Sequence, residues 1–134
     1  MNIFNLNNKK IFVIGGSGLI GTEVCNLLKI LGAKVYNLDI KKNLKLVPNI
    51  KFLKFDISKD KLIEKNLKSF FKSYGTPECM INCSYPTNKS WVLSNFKSVK
   101  KKTINENINL HLNSYIWIAR IFAEQMKKKK VKGS

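Results

Sequence analysis

Lys10-Ile11-Phe12-Val13-Ile14-Gly15-Gly16-Ser17-Gly18-Leu19-Ile20-Gly21 is the stretch that decides how this chain is read. Ile11 to Ile14 form an unbroken apolar run that ends directly on a glycine cluster. Apolar residues then recur at helical spacing through Leu19, Ile20, Val24, Leu27, Leu28 and Leu31, and Gly32 stops the pattern. A second apolar run, Ala33 to Leu38, ends in Asp39. Strand, glycine turn, helix, strand and acid, in that order, are the parts of a dinucleotide-binding βαβ unit. A glycine triad alone is a weak signal, but here each neighbouring condition is met.

Each glycine has a physical task in that reading. Gly15 lets the chain leave the strand in a conformation that side chains disfavour, and Gly18 lets the backbone approach a diphosphate at the helix N-terminus. Gly21 allows close packing of helix on strand. Asp39 is placed to accept hydrogen bonds from the adenosine ribose hydroxyls, and its charge repels a 2′-phosphate, which favours NAD over NADP. Lys41 and Lys42 lie close enough to weaken that preference. The alternatives are a ligand-free turn and a solvated aspartate at a strand end.

The chain has 134 residues, 44% hydrophobic and 25% charged, which suits one domain spanning residues 1–134 with a substantial core. No apolar run reaches the roughly 18 residues that a membrane-spanning helix needs, and no signal-peptide pattern opens the chain. Cys25, Cys79 and Cys83 sit among apolar residues and read as buried, reduced thiols, which implies a cytoplasmic protein without a metal site. The net charge of +17 raises a nucleic-acid reading. Arg120 is the only arginine, however, and base-reading surfaces favour the bidentate guanidinium. Scattered, solvated lysine is the plainer account.

Further along, Ile50 to Phe55 reads as a third strand, and Ser58 can cap a helix that buries Leu62, Ile63, Leu67, Phe70 and Phe71. Gly75-Thr76-Pro77 breaks that helix. Cys79 to Cys83 reads as a fourth strand, Ser84 to Asn95 as a loop, and Val99 to Lys129 as one long helix. The alternation predicts an α/β fold of Rossmann type: a doubly wound parallel sheet with right-handed crossovers, truncated after the fourth strand and its following helix.

From Lys10 onward the chain resembles the short-chain dehydrogenases/reductases. The resemblance rests on Gly15 to Gly21, Asp39, Asp56-Ile57, and Ile81-Asn82-Cys83-Ser84 followed by Asn107-Ile108-Asn109-Leu110. Within that family it looks closest to a bacterial branch associated with flagellin or surface-sugar modification, which implies a small-molecule substrate such as a sugar or sugar nucleotide. The resemblance implies cofactor contacts at Gly15, Ser17, Gly18, Ile20, Gly21, Asp39, Asp56, Ile57, Asn82 and Ser84. It implies a catalytic role for Asn109, which would hold a water in the proton relay. Cys83 and Tyr85 depart from the usual Asn-Asn-Ala-Gly run, and Tyr85 puts a close backbone approach there in question.

The family's catalytic serine and Tyr-x-x-x-Lys pair are expected beyond residue 134, so the sequence reads as the N-terminal part of an oxidoreductase and as inactive by itself. Tyr85-Pro86-Thr87-Asn88-Lys89 fits Tyr-x-x-x-Lys literally, but Pro86 makes a poor helix, and only helical i, i+4 spacing brings phenol and ammonium to one face. The fourth strand is expected to remain an edge. The helix around residues 99–129 carries more apolar surface than one face needs and implies homo-oligomerisation, as its counterpart does in the family. A non-catalytic NAD sensor and a lysine-rich nucleic-acid binder are the rival readings.

Overall fold

Ile11 to Val13 have neighbours on both sides and on both faces, as an unbroken apolar run requires. Lys10–Ile14 forms β1, which pairs in parallel with β2 (Lys34–Asp39) on one side and β4 (Cys79–Asn82) on the other. β2 pairs in parallel with β3 (Lys51–Lys54), so the sheet runs β3-β2-β1-β4. The computed structural model describes residues 5–134. The helices are α1 (Leu19–Ile30), α2 (Asp60–Tyr74), the single-turn α3 (Lys89–Val92), α4 (Lys101–Ile108) and α5 (Ser114–Lys128). A wider π-helical turn, Asn109–Asn113, joins α4 to α5.

Strand alternation divides β1 between two cores. Phe12 and Ile14 pack with Leu38, Leu53 and Phe55 against Ile63, Leu67 and Phe71 of α2 and Ile118, Ile121 and Phe122 of α5. Ile11 and Val13 face the other way, with Val35, Ala33 and Cys25 of α1. The sheet is thus covered on both faces, as the sequence predicted. Phe12 centres the larger core, with ring centroids 5.0 Å from Tyr36, 6.3 Å from Phe71 and 6.0 Å from Phe122.

Several local expectations are corrected. α1 turns its small residues inward: Gly21, Thr22 and Cys25 are buried, while Leu19, Ile20 and Leu27 are exposed. The helix lies too near the glycine turn for larger side chains at Gly21. Ser58 does not cap α2. Its amide and hydroxyl both donate to Asp56 Oδ1, at 2.9 and 2.6 Å, and the helix starts at Asp60, whose charge complements the N-terminal dipole. Leu62 is exposed, because Ile63, Leu67 and Phe71 already fill the i, i+4, i+8 line that faces the sheet.

The expected loop after β4 contains α3, capped by Asn88, whose Oδ1 accepts from the Trp91 amide at 2.8 Å. The long helix is interrupted by the π turn, where His111 Nδ1 lies 3.0 Å from the Asn107 carbonyl. The edge of β4 is partly paired. Ser134 N donates to Glu78 O and Ser134 O accepts from Met80 N, both at 2.9 Å, and this flanking of Cys79 is the parallel-ladder pattern.

Because Phe12 is wholly buried among aromatic rings, Phe12→Ala is expected to lower stability by about 3–5 kcal/mol. Urea unfolding followed by circular dichroism measures this, and a change below about 1 kcal/mol would contradict the packing described.

Candidate functional site

Strand order reverses at β1, since the chain moves from β1 to β2 and β3 on one side and then crosses to β4 on the other. Open parallel sheets form a ligand crevice at such a point, beyond the carboxyl ends of the strands. A crevice of about 630 Å³ lies there, walled by the turn after β1, the ends of β2 and β3, and the segment after β4.

The turn owes its shape to backbone contacts that exclude side chains. Gly15 has φ +74°, and a Cβ on it would lie 2.5 Å from Ser84 Cα. A Cβ on Gly21 would lie 2.1 Å from Gly15 O. Any larger residue would push turn, helix and β4 segment apart. At Gly18 an added Cβ meets only Gly15 O, at 3.3 Å, and Gly18 itself lines the crevice. Gly18 is also the N-cap of α1, with no side-chain cap. The first-turn amides of α1 are therefore left without an intrahelical acceptor, at an end carrying partial positive charge.

A polar network ties this turn to the end of β2. Ser17 N donates to Asp39 Oδ2 at 2.9 Å, and Ser17 Oγ donates to the Lys41 carbonyl at 2.6 Å. Asn37, fully buried in β2, donates from Nδ2 to Ser17 Oγ at 2.8 Å. Asn43 donates to Ser17 O at 3.1 Å and to Thr22 Oγ1 at 2.7 Å. Asp39 Oδ1 accepts from the Lys41 amide at 3.3 Å, so the carboxylate is held in place with acceptor capacity remaining. Asn37 and Asn43 were missed in the sequence. An amide inside an apolar strand was the available signal for Asn37, and Asn43 had none.

Gly15, Ser17, Gly18, Ile20, Asp39, Asp56, Ile57 and Ser84 all line the crevice. Gly21, Asn82 and Asn109 do not. Gly21 lies behind the turn. Asn82 acts one layer out, with Oδ1 accepting from Ser84 N at 3.1 Å and from Ser84 Oγ. The Tyr115 hydroxyl donates to the Ser84 carbonyl, and burial raises that phenol above its ordinary range. Asn109 opens the π turn, exposed, its Oδ1 accepting from Asn113 Nδ2 at 2.8 Å.

Tyr85, which departs from the family's usual run, also lines the crevice. Its ring is seated on His111, with centroids 4.6 Å apart, while the close approach is made by Ser84 against Gly15. Tyr85 to Asn88 is not helical and Lys89 belongs to α3, so Tyr85 and Lys89 do not share a helical face. Cys25 sits beneath Gly16. Burial, and secondarily the nearby Cys83 and Asp39, push its thiol up to about 12, which keeps it neutral and inert.

Comparisons with known proteins agree with this arrangement. The family model for short chain dehydrogenase matches residues 9–134. The post-translational flagellin modification protein A of Campylobacter coli is 31% identical over 140 residues, a match covering 92% of this chain and 52% of that protein. A short chain dehydrogenase of Leptospira borgpetersenii solved with bound NAD+ superposes with TM-score 0.80 at 23% identity, over 96% of this chain and 50% of that one. A 4-hydroxyisoleucine dehydrogenase complexed with NADH gives TM-score 0.76 at 21% identity, over 94% and 53% of the two chains. The chain spans about half the length of the relatives it matches. With glycine turn, acid and strand order all in place, it belongs to the short-chain dehydrogenase family.

Proposed function

We propose that this chain forms the cofactor-binding part of an NAD-dependent oxidoreductase acting on a carbinol or carbonyl carbon. The observation that carries the proposal is the cradle at the turn after β1. Backbone contacts hold it open, uncapped α1 amides face it, and Asp39 is fixed beside it. The bound nicotinamide supplies or accepts the hydride. The α1 amides and Gly18 hold the diphosphate, and Asp39 accepts from the adenosine ribose hydroxyls through its remaining lone pairs. Asp56 and Ile57 contact the adenine ring, while Ser84, braced by Asn82 and Tyr115, meets the ribose at the nicotinamide end. Asn109 holds a water of the proton relay from the π turn. We assign a sugar or sugar nucleotide as substrate, a choice supported by the relative named for flagellin modification. The cytoplasm is the compartment we assign, where Cys25, Cys79 and Cys83 remain thiols.

NAD is expected to bind at least about tenfold more tightly than NADP, because the Asp39 carboxylate repels a 2′-phosphate. Asp39→Asn retains an acceptor for the Ser17 amide and removes the charge, so calorimetry on this variant should show that ratio collapse mainly through tighter NADP binding. A wild type that binds neither nucleotide would refute the cofactor assignment.

Among the described residues no Tyr-x-x-x-Lys is helical. Incubated with NAD and alcohol or sugar substrates, the chain is expected to give no NADH absorbance; turnover abolished by Tyr85→Phe would overturn this reading.

We also propose self-association through the helix around residues 99–129. Ile104, Ile108, Leu112 and Ile116 lie exposed along it, an apolar stripe that solvent does not favour. Sedimentation velocity should show a species larger than a monomer for the wild type and a monomer for Ile108→Lys/Ile116→Lys. A monomeric wild type at micromolar concentration would remove the assignment.

A further inference from the structure

Lysines lie at both ends of this sheet: at the crevice end Lys41 lines the opening, Lys54 ends β3 and Lys59 precedes α2. Parallel strands place every strand start at one end and the crevice at the other. Lys10, Lys34 and Lys51 open β1, β2 and β3, and α2 and α5 run back to that same end, carrying Lys72 and Lys127-Lys128 in their last turns. Asp39, Asp56 and Asp60 lie at the crevice end, where β2 and β3 finish and α2 begins. The far end is a pole where strand starts and helix ends place these ammonium groups, with Glu78 beside Lys10.

A groove of about 620 Å³ opens at that pole between the C-terminal turns of α2 and α5. Lys68, Lys72 and Lys129 line it over an apolar floor that includes Phe71 and Val131. Gly75 forms part of the wall, and a Cβ there would lie 2.5 Å from Lys10 Nζ, so a fourth ammonium reaches the rim. Gln125 Nε2 donates to Thr76 Oγ1 at 2.8 Å across the groove, leaving the Thr76 hydroxyl proton available to an acceptor. Among the described residues no carboxylate lines the groove. Lys68 pairs with Glu64 at 2.6 Å on an exposed helix surface, whereas Lys72 and Lys129 form no ion pair among the described residues. Glu78, at the start of β4, directs Oε2 to the Lys10 amide at 2.8 Å.

Lysines near helix C-termini have an ordinary explanation in the macrodipole, and its magnitude is informative. Each helix C-terminus carries about half a negative charge, so α2 and α5 together supply about one against four ammonium groups. Glu64 neutralises Lys68, and the surplus that remains rests on Lys72 and Lys129, which form no ion pair among the described residues. Lysine ammonium groups act as point charges suited to phosphate oxygens, and a concave site of this volume suits a small ligand better than a duplex surface.

We propose that the groove binds a small polyphosphate, a di- or triphosphate group carried by a soluble molecule, at the opposite end of the sheet from the crevice. Lys72 and Lys129 are its principal ligands, Lys10 and Lys68 flank them, and the Thr76 hydroxyl donates to a phosphate oxygen.

Calorimetric titration with inorganic tripolyphosphate tests this in four proteins: wild type, Lys72→Gln/Lys129→Gln, the α4 control Lys101→Gln/Lys102→Gln, and Gly18→Trp, which fills the cradle of the crevice. A saturable groove site is expected, weakened about tenfold or more in Lys72→Gln/Lys129→Gln and unchanged in the other two variants, while any separate binding at the cradle is lost only in Gly18→Trp. Circular dichroism and unfolding midpoints matching the wild type establish that each variant folds. No saturable site, equal weakening by both lysine pairs, or loss of the groove site in Gly18→Trp would overturn the proposal. So would a preference for phosphatidylserine vesicles or a single-stranded oligonucleotide that tripolyphosphate fails to displace, since that would assign the pole to a macromolecular polyanion.

Discussion

Three stretches of backbone meet here with no side chain between them: the turn after β1, the first turn of α1 and the start of the segment after β4. Gly15 abuts Ser84, and Gly21 abuts the Gly15 carbonyl. The rest of the site follows from that contact. It brings α1 to the sheet at its N-terminal end, so that Gly21, Thr22 and Cys25 are buried beneath the helix, with Val24 and Leu28 packed against the core beside them. It also leaves the first-turn amides directed at a crevice instead of at a capping side chain. A turn held this way is rigid before any ligand arrives, which reduces the ordering cost of binding.

The polar network around Ser17 complements that contact from the β2 side. Asn37, Asp39, Lys41 and Asn43 all bond to the Ser17 residue, through its amide, hydroxyl or carbonyl. Burying the Asn37 amide inside a strand carries a desolvation cost that its bond to Ser17 Oγ offsets only in part, because Asn37 Oδ1 is buried without a partner. In return, Asp39 and the turn after β1 become one mechanical unit. Changing either disturbs the other.

The parts of this fold that were legible in the sequence are those set by short-range pattern. Ile11 to Ile14 announced a strand covered on both faces, Gly15 to Gly21 announced the turn, and Asp39 announced the strand end beside it. What was illegible depends on partners distant in the chain. Ser58 reads as a cap because its residue type favours caps, yet Asp56 competes for its amide and hydroxyl and wins. Leu19, Ile20 and Leu27 fit a buried helical stripe by spacing, but the closeness of the β1 turn leaves them exposed while Val24 and Leu28 of the same pattern keep contact with the core. Tyr85 reads as an obstruction until His111, far along the chain, supplies a seat for its ring. The π turn that Asn109 opens has no signature in composition or periodicity.

That π turn sets the phase of everything before it. An extra residue in one helical turn rotates the preceding face by about 100°. α5 can therefore press Ile118, Phe122 and Met126 into the sheet while α4 buries only Thr103 and leaves Ile104 and Ile108 outward. Length between Asn109 and Asn113 is thus constrained in a way that residue identity is not. A single-codon deletion there would preserve every side chain outside the turn, yet swing α4 and the preceding chain onto the wrong bearing. The same deletion in the loop before α4 would be absorbed as slack.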